Sequence, residues 1–225
     1  MPYKHGAQCA ERTITMIDYT KVTVTGKLEA GLELNHTTPS EAIYAGTLLV
    51  PRTSGKIDRV PVHIPGRLYE EAKKAIDGDM IITGTLRLYS AQDGERSYTR
   101  LTVLASYVGR IIENNEVSNY VNIVGAITKP PVYRTTPMGR EICDVMLAVN
   151  RGYNHVDYIP CIAWGGNARV MSKYEVGTRL RVLGRFQSRE YEKVLENGEV
   201  EKRTTNEISI NKIRASIGEN SASEE

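Results

Sequence analysis

Residues 22–66 and 121–165 align without a gap, and this internal repeat constrains the fold more than any other feature of the chain. Gly26 falls on Gly125, Ile43 on Ile142, Leu48 on Leu147 and Val50 on Val149. Arg52 then falls on Arg151, Asp58 on Asp157, Pro61 on Pro160 and Gly66 on Gly165. The matched residues are strand apolar positions, glycines, and a proline of the kind that suits an edge strand or a bulge. Beyond them, residues 67–76 and 167–174 each read as a short helix, stopped by Gly78 and Gly177. Strands then run through Gly84 and Gly184 into hairpins turned by Asp93-Gly94 and Asn197-Gly198. The last strands are expected over 99–111 and 204–214. A gapless match followed by the same order of elements points to a duplication.

Each unit therefore reads strand, strand, strand, short helix, strand, long hairpin, strand. Five strands with one helix between the third and fourth is the order of a five-stranded Greek-key barrel, the OB-fold. The expectation is an all-β chain of two tandem OB-folds. The first, diverged barrel spans 20–113 and the second 119–215. The polar stretch 114–118 reads as a linker, 1–19 as a flexible N-terminal arm and 216–225 as a disordered acidic tail.

Composition excludes more than it assigns. A formal net charge of +2 is too small to imply a polyanion partner by itself. The three cysteines, Cys9, Cys143 and Cys161, have no CxxC spacing and read as reduced thiols of a cytoplasmic protein. No apolar run approaches the roughly 18–20 residues that span a bilayer, and no secretory leader is read at the N-terminus. His5, His36, His63 and His155 are scattered without metal spacing. No phosphate-binding loop, nucleophile elbow or HExxH occurs. The expectation is a protein that is not an enzyme and uses no metal or cofactor.

The chemistry concentrates in the second unit. Within 141–165, Tyr158 and Trp164 share a parity, so both leave one face of a strand, while Ile159, Cys161 and Ala163 fill a core. Large aromatics on an outward face waste apolar surface unless something flat lies on them, and nucleobases are flat. In RLRVLGRFQSR, Leu180, Val182, Gly184 and Phe186 suit a barrel interior. Arg179, Arg181, Arg185 and Arg189 take the other parity, interrupted by Leu183 and Gln187. Basic residues following phosphates beside aromatics stacking on bases are the two ingredients of single-strand binding. Tyr153 and Tyr191 lie in loops of the same barrel.

These residues carry a resemblance. NYVNIVGAITKPP, LAVNR at 147–151, DYIPCIAWGGNAR and RLRVLGRFQSREY, in this order and spacing, resemble the bacterial single-stranded DNA-binding protein family. The resemblance covers nearly all of the second unit and reaches the first only through the internal repeat. It implies sequence-tolerant binding of single-stranded DNA in replication, recombination, repair or element transfer. Tyr153, Tyr158, Trp164 and Tyr191 match the family's stacking positions, with Tyr where Trp is common, and Arg151 joins Arg179, Arg181, Arg185 and Arg189 in the expected DNA-binding set. Replication or repair proteins are further partners it implies, although this chain ends GENSASEE, without the apolar tip that recruits them. The common form has one barrel per chain and assembles as a tetramer. Two barrels per chain imply a homodimer of four barrels or a pseudo-dimeric monomer. A primosome-like OB protein acting as an assembly module and an RNA-binding OB protein are the alternatives.

The first unit lacks this chemistry. Its third strand presents Arg59, Pro61, His63 and Pro65 outward, and its fourth has Ile81 and Thr83 where the second unit has arginines. Tyr89 and Tyr98 are its remaining candidates for stacking. It is expected to bind strand weakly and to serve mainly in assembly.

Overall fold

The structure, a computed structural model, describes residues 18–93, 96–111, 119–152, 154–194, 198 and 200–215. The arm before Asp18, the linker 114–118 and the tail 216–225 lie outside the described residues, as do Cys9 and Gly94 and Asn197 of the two hairpin turns. Among the described residues twelve strands form one continuous sheet that curls into two barrels. In the first unit these are β1 (Tyr19–Leu28), β2 (Glu33–Thr37), β3 (Ala42–Pro51), β4 (Ile57–Pro65), β5 (Met80–Asp93) and β6 (Arg96–Arg110). One 3-10 turn, Gly66–Leu68, and helix α1 (Tyr69–Ala75) separate β4 from β5. The second unit repeats the order with β7 (Asn119–Ile127), β8 (Val132–Thr135), β9 (Glu141–Asn150), β10 (Val156–Trp164), α2 (Gly166–Met171), β11 (Arg179–Val194) and β12 (Val200–Ala215).

Alternation drives the barrels. Leu180, Val182 and Phe186 are fully buried along β11, as are Val22 and Val24 along β1. Barrel closure brings β1 onto β3 at Lys27↔Leu49 and β7 onto β9 at Ala126↔Ala148. The matched glycines stand at that closure. A Cβ on Gly26 would lie 2.1 Å from the Leu49 carbonyl oxygen, and one on Gly125 would lie 2.5 Å from that of Ala148. Pro61 and Pro160 sit one residue before the parallel pairing of β4 with β6 and of β10 with β12, where no ladder donor is needed.

One element differs from the expectation. Among the described residues each unit has six strands, because β2 and β8 add a short edge strand to β3 and β9. Every residue of both is exposed, so neither has the alternation that marks a strand in sequence.

The two units join along β1 and β7, which pair antiparallel from Tyr19↔Val124 to Val24↔Asn119. Equivalent residues brace each barrel beside this seam. Thr20 Oγ1 accepts the Leu86 N–H at 2.9 Å, and its counterpart Asn119 brackets Phe186 with two 2.8 Å bonds. More telling are the repeated aspartates. Asp58 is fully buried, is clamped by Arg52 and accepts the Ser188 N–H of the other unit at 2.7 Å. Asp157 is 2% exposed and accepts the Leu88 N–H of the first unit at 3.1 Å. Leu88 and Ser188 each stand four residues beyond the matched Gly84 and Gly184. Each barrel thus buries a carboxylate that its neighbour helps satisfy.

Removing one partner of a buried ion pair strands the other charge. Asp58→Ala is expected to cost about 3 kcal/mol in urea unfolding at pH 7, because it orphans Arg52. Asp157→Ala should cost less, since Arg87 and Arg151 stand farther from its carboxylate, at 3.5 and 3.7 Å, and are more exposed to water than Arg52. A loss below about 1 kcal/mol for Asp58→Ala would show that the junction does not rest on these groups.

Candidate nucleic-acid interface

Strand β10 places its side chains as its parity requires. Ile159, Cys161 and Ala163 enter the core, Tyr158 is 48% exposed and Trp164 is half-buried. Between the two aromatics the outward positions are covered: Pro160 is half-buried and Ile162 is 3% exposed. Tyr158 and Trp164 are therefore separate stations, roughly 20 Å apart along the strand. Burial pushes the Cys161 thiol up and that of Cys143 up to about 11, so neither is ionised at neutral pH.

Trp164 opens onto a shallow hollow lined by Gly139, Arg140, Glu141 and Gly165. Strand register sets Arg134, Ile142 and Trp164 in one row across β8, β9 and β10. Arg134 is held by Asp144 at 2.8 Å, and Glu141 accepts from Tyr133 and faces Arg169 at 3.6 Å. Arg134 and Arg140 were not among the residues singled out from the sequence. Neither carried a sequence signal, because β8 is exposed throughout and lacks alternation, and Arg140 lies beyond it.

Arginines and aromatics share the barrel's outer surface. Ser209 stands opposite Ile162 of β10 on one side and Arg185 of β11 on the other. The arginine file itself is largely engaged. Arg179 pairs with Asp18, the Arg181 guanidinium lies 5.7 Å over the Tyr19 ring, and Arg185 donates to Gln187 at 3.3 Å. Arg189 keeps its side chain 53% exposed. Arg151 sits at the junction beside Asp157. Tyr191 is 40% exposed on the long β11–β12 arm, opposite Arg203. Tyr153 lies outside the described residues. Glu207, also unforeseen, stands in this surface opposite Gln187, which donates to it at 3.2 Å. Burial raises its pKa, offset in part by Arg189.

In the first unit Pro61, His63 and Pro65 are all buried, so the outward face of β4 is covered rather than open. His63 lies 4.4 Å, centroid to centroid, from Tyr89 of β5, and 6.1 Å from His36 of β2. Rings absent from the strand itself arrive from its neighbours, which alignment of the repeats could not reveal. Among the described residues no group of three His, Cys, Asp or Glu is placed to hold a metal ion.

The model of the single-strand binding protein family matches residues 118–216, the whole second unit. The Bacillus subtilis single-stranded DNA-binding protein B is 37% identical over 81 residues, which cover 33% of this chain and 72% of that protein. The chain belongs to the single-strand binding protein family. A single-stranded DNA-binding protein of Enterococcus faecalis is 40% identical over 81 residues, 33% of this chain and 43% of that protein. The chain thus spans less than half the length of the first relatives it matches. The wild-type single-stranded DNA binding protein of Thermus aquaticus has a crystal structure that superposes with a TM-score of 0.66 at 22% identity, covering 93% of this chain and 98% of that one. At that identity the likeness concerns the fold, and it extends the family's OB-fold to both units. Among the described residues no helix is long and apolar enough to cross a membrane.

Burial, with His36 and Arg100 nearby, lowers the His63 pKa to about 4. An unfolded histidine takes up its proton near pH 6.5. Between these values the unfolded chain binds more protons, so stability falls as pH drops through that window. The full gap amounts to about 3 kcal/mol. Glu207, raised on folding, acts with the opposite sign, so the test is a difference between proteins. Urea unfolding of His63→Gln should show a shallower loss from pH 6.5 to 4.5 than the unaltered chain. Parallel losses would contradict the assignment.

Proposed function

We propose that this protein binds single-stranded DNA without reading its sequence, by base stacking and phosphate neutralisation, and that the second barrel carries most of the binding. The observation that carries the reading is Tyr158 and Trp164 on one outward face of β10, a strand whose Ile162 lies in one row with Ser209 of β12 and Arg185 of β11. Every base has a π-face, so stacking tolerates sequence, and exposed arginine neutralises phosphate. Family membership and the single-stranded DNA-binding proteins among its relatives support the same reading. The role is non-enzymatic and cytoplasmic, in replication, recombination or repair.

Assembly as a homodimer of four barrels fits the outer face of the junction. Tyr107, Thr83, Thr23 and Tyr120 form one row across β6, β5, β1 and β7, with both tyrosines exposed. Flanking strands of both units extend this face, so a second copy meets the same row from the other side.

Titration with oligo-dT should quench Trp164 fluorescence, with affinity falling steeply as salt rises. Combining Trp164→Ala with Tyr158→Ala, read out by filter binding, should cost about 2–6 kcal/mol. Native mass measurement in the same titration should give twice the chain mass. Absence of quenching together with salt-independent, RNA-preferring or undetectable binding would overturn the reading.

A further inference from the structure

The junction that locks the two barrels is built twice from equivalent residues, and its two copies differ in the side chains that flank the lock. At one copy Asp157 accepts the Leu88 N–H at 3.1 Å. The residues that follow each partner in sequence are Tyr158 and Tyr89. At the other copy Asp58 accepts the Ser188 N–H at 2.7 Å, and the residues that follow are Arg59 and Arg189. The same backbone arrangement thus sets a tyrosine next in sequence to each partner of one lock and an arginine next to each partner of the other.

The surroundings sharpen the contrast. On the arginine side both cations meet acids: Arg59 pairs with Glu29, and Arg189 lies 3.9 Å from the largely buried Glu207. On the tyrosine side Arg87 and Arg151 share the single carboxylate of Asp157, which leaves a net positive charge. Arg100 stands opposite Tyr89 in the β5–β6 ladder. Tyr89 in turn packs on His63, whose other neighbour His36 is exposed on the edge strand. His63 Nδ1 is buried without a hydrogen-bond partner, a cost that a ring serving only to fill space has no reason to bear.

We propose that a DNA strand stacked on Trp164 and Tyr158 crosses from the second barrel to the first at this junction and stacks next on Tyr89 and His36, with His63 as the supporting ring. This rests on the reading of the protein as a single-strand binder and assigns the path the strand takes. Single-strand grooves combine stacking rings with cations that follow the backbone, and only the tyrosine side of the lock offers both. The first barrel is thereby a binding surface in its own right, made from rings on three strands.

The test uses the full-length chain and oligo-dT carrying 5-iodouracil, cross-linked by ultraviolet light and mapped by mass spectrometry. Adducts are expected at Tyr89 as well as at Tyr158. Tyr89→Ala should weaken binding of long oligonucleotides by about five- to a hundredfold. It should leave short ones that quench Trp164 unaffected, and Tyr89→Phe should restore the long-oligonucleotide affinity. The adduct map of the unaltered protein decides the matter even if Tyr89→Ala fails to fold. Trp164 quenching with adducts confined to the second barrel, or appearing beside Arg59 and Arg189, would overturn the path while sparing the single-strand reading. Absence of any quenching would overturn both.

Discussion

Two buried aspartates, each satisfied in part by the neighbouring barrel, hold this molecule in its arrangement. Asp58 and Asp157 lie at the start of equivalent strands, and neither carboxylate finds all its donors within its own unit. Burying an ionised carboxylate is costly unless arginine and backbone N–H groups surround it. The arrangement that supplies them also seats β1 against β7 and lays each β-hairpin arm beside the other barrel. The two OB-folds are consequently one body with an approximate twofold relation.

Much of this was legible in the residues. The gapless repeat and the order of elements pointed to two barrels, and the parity of Tyr158 and Trp164 named the outward face of β10. Gly26 and Gly125 were visible as matched positions, and the close approach of a carbonyl oxygen explains why no side chain fits there. The edge strands β2 and β8 were not legible, because a strand exposed on both faces carries no alternation. Arg52, Asp58, Arg151 and Asp157 were matched as a repeat, but their function as a lock depends on backbone groups more than a hundred residues away or in the other unit. The period-2 arginines of β11 do share a face. Their engagement with Asp18 and Tyr19 follows from tertiary placement that no local pattern encodes, whereas Gln187 stands two residues from Arg185 on the same strand.

Duplication gave the chain two copies of one scaffold, and divergence separated their chemistry. Where the second barrel keeps aromatics on its third strand, the first keeps prolines and a histidine, and it recovers ring surface from adjacent strands. The same divergence placed tyrosines at one side of the junction and acid-bound arginines at the other. On the path proposed above, a symmetric scaffold would offer a flexible polyanion one preferred route, set by these side chains.

Hydrogen exchange along the full chain, with and without oligo-dT, tests the central claim most directly. The account predicts slowed exchange at β10, around residues 139–141 and in the β5 segment beside Tyr89, with the β1–β7 seam unchanged because it is already paired. Protection confined to the seam or to the outer faces of β7 and β11, with β10 unaffected, would contradict it.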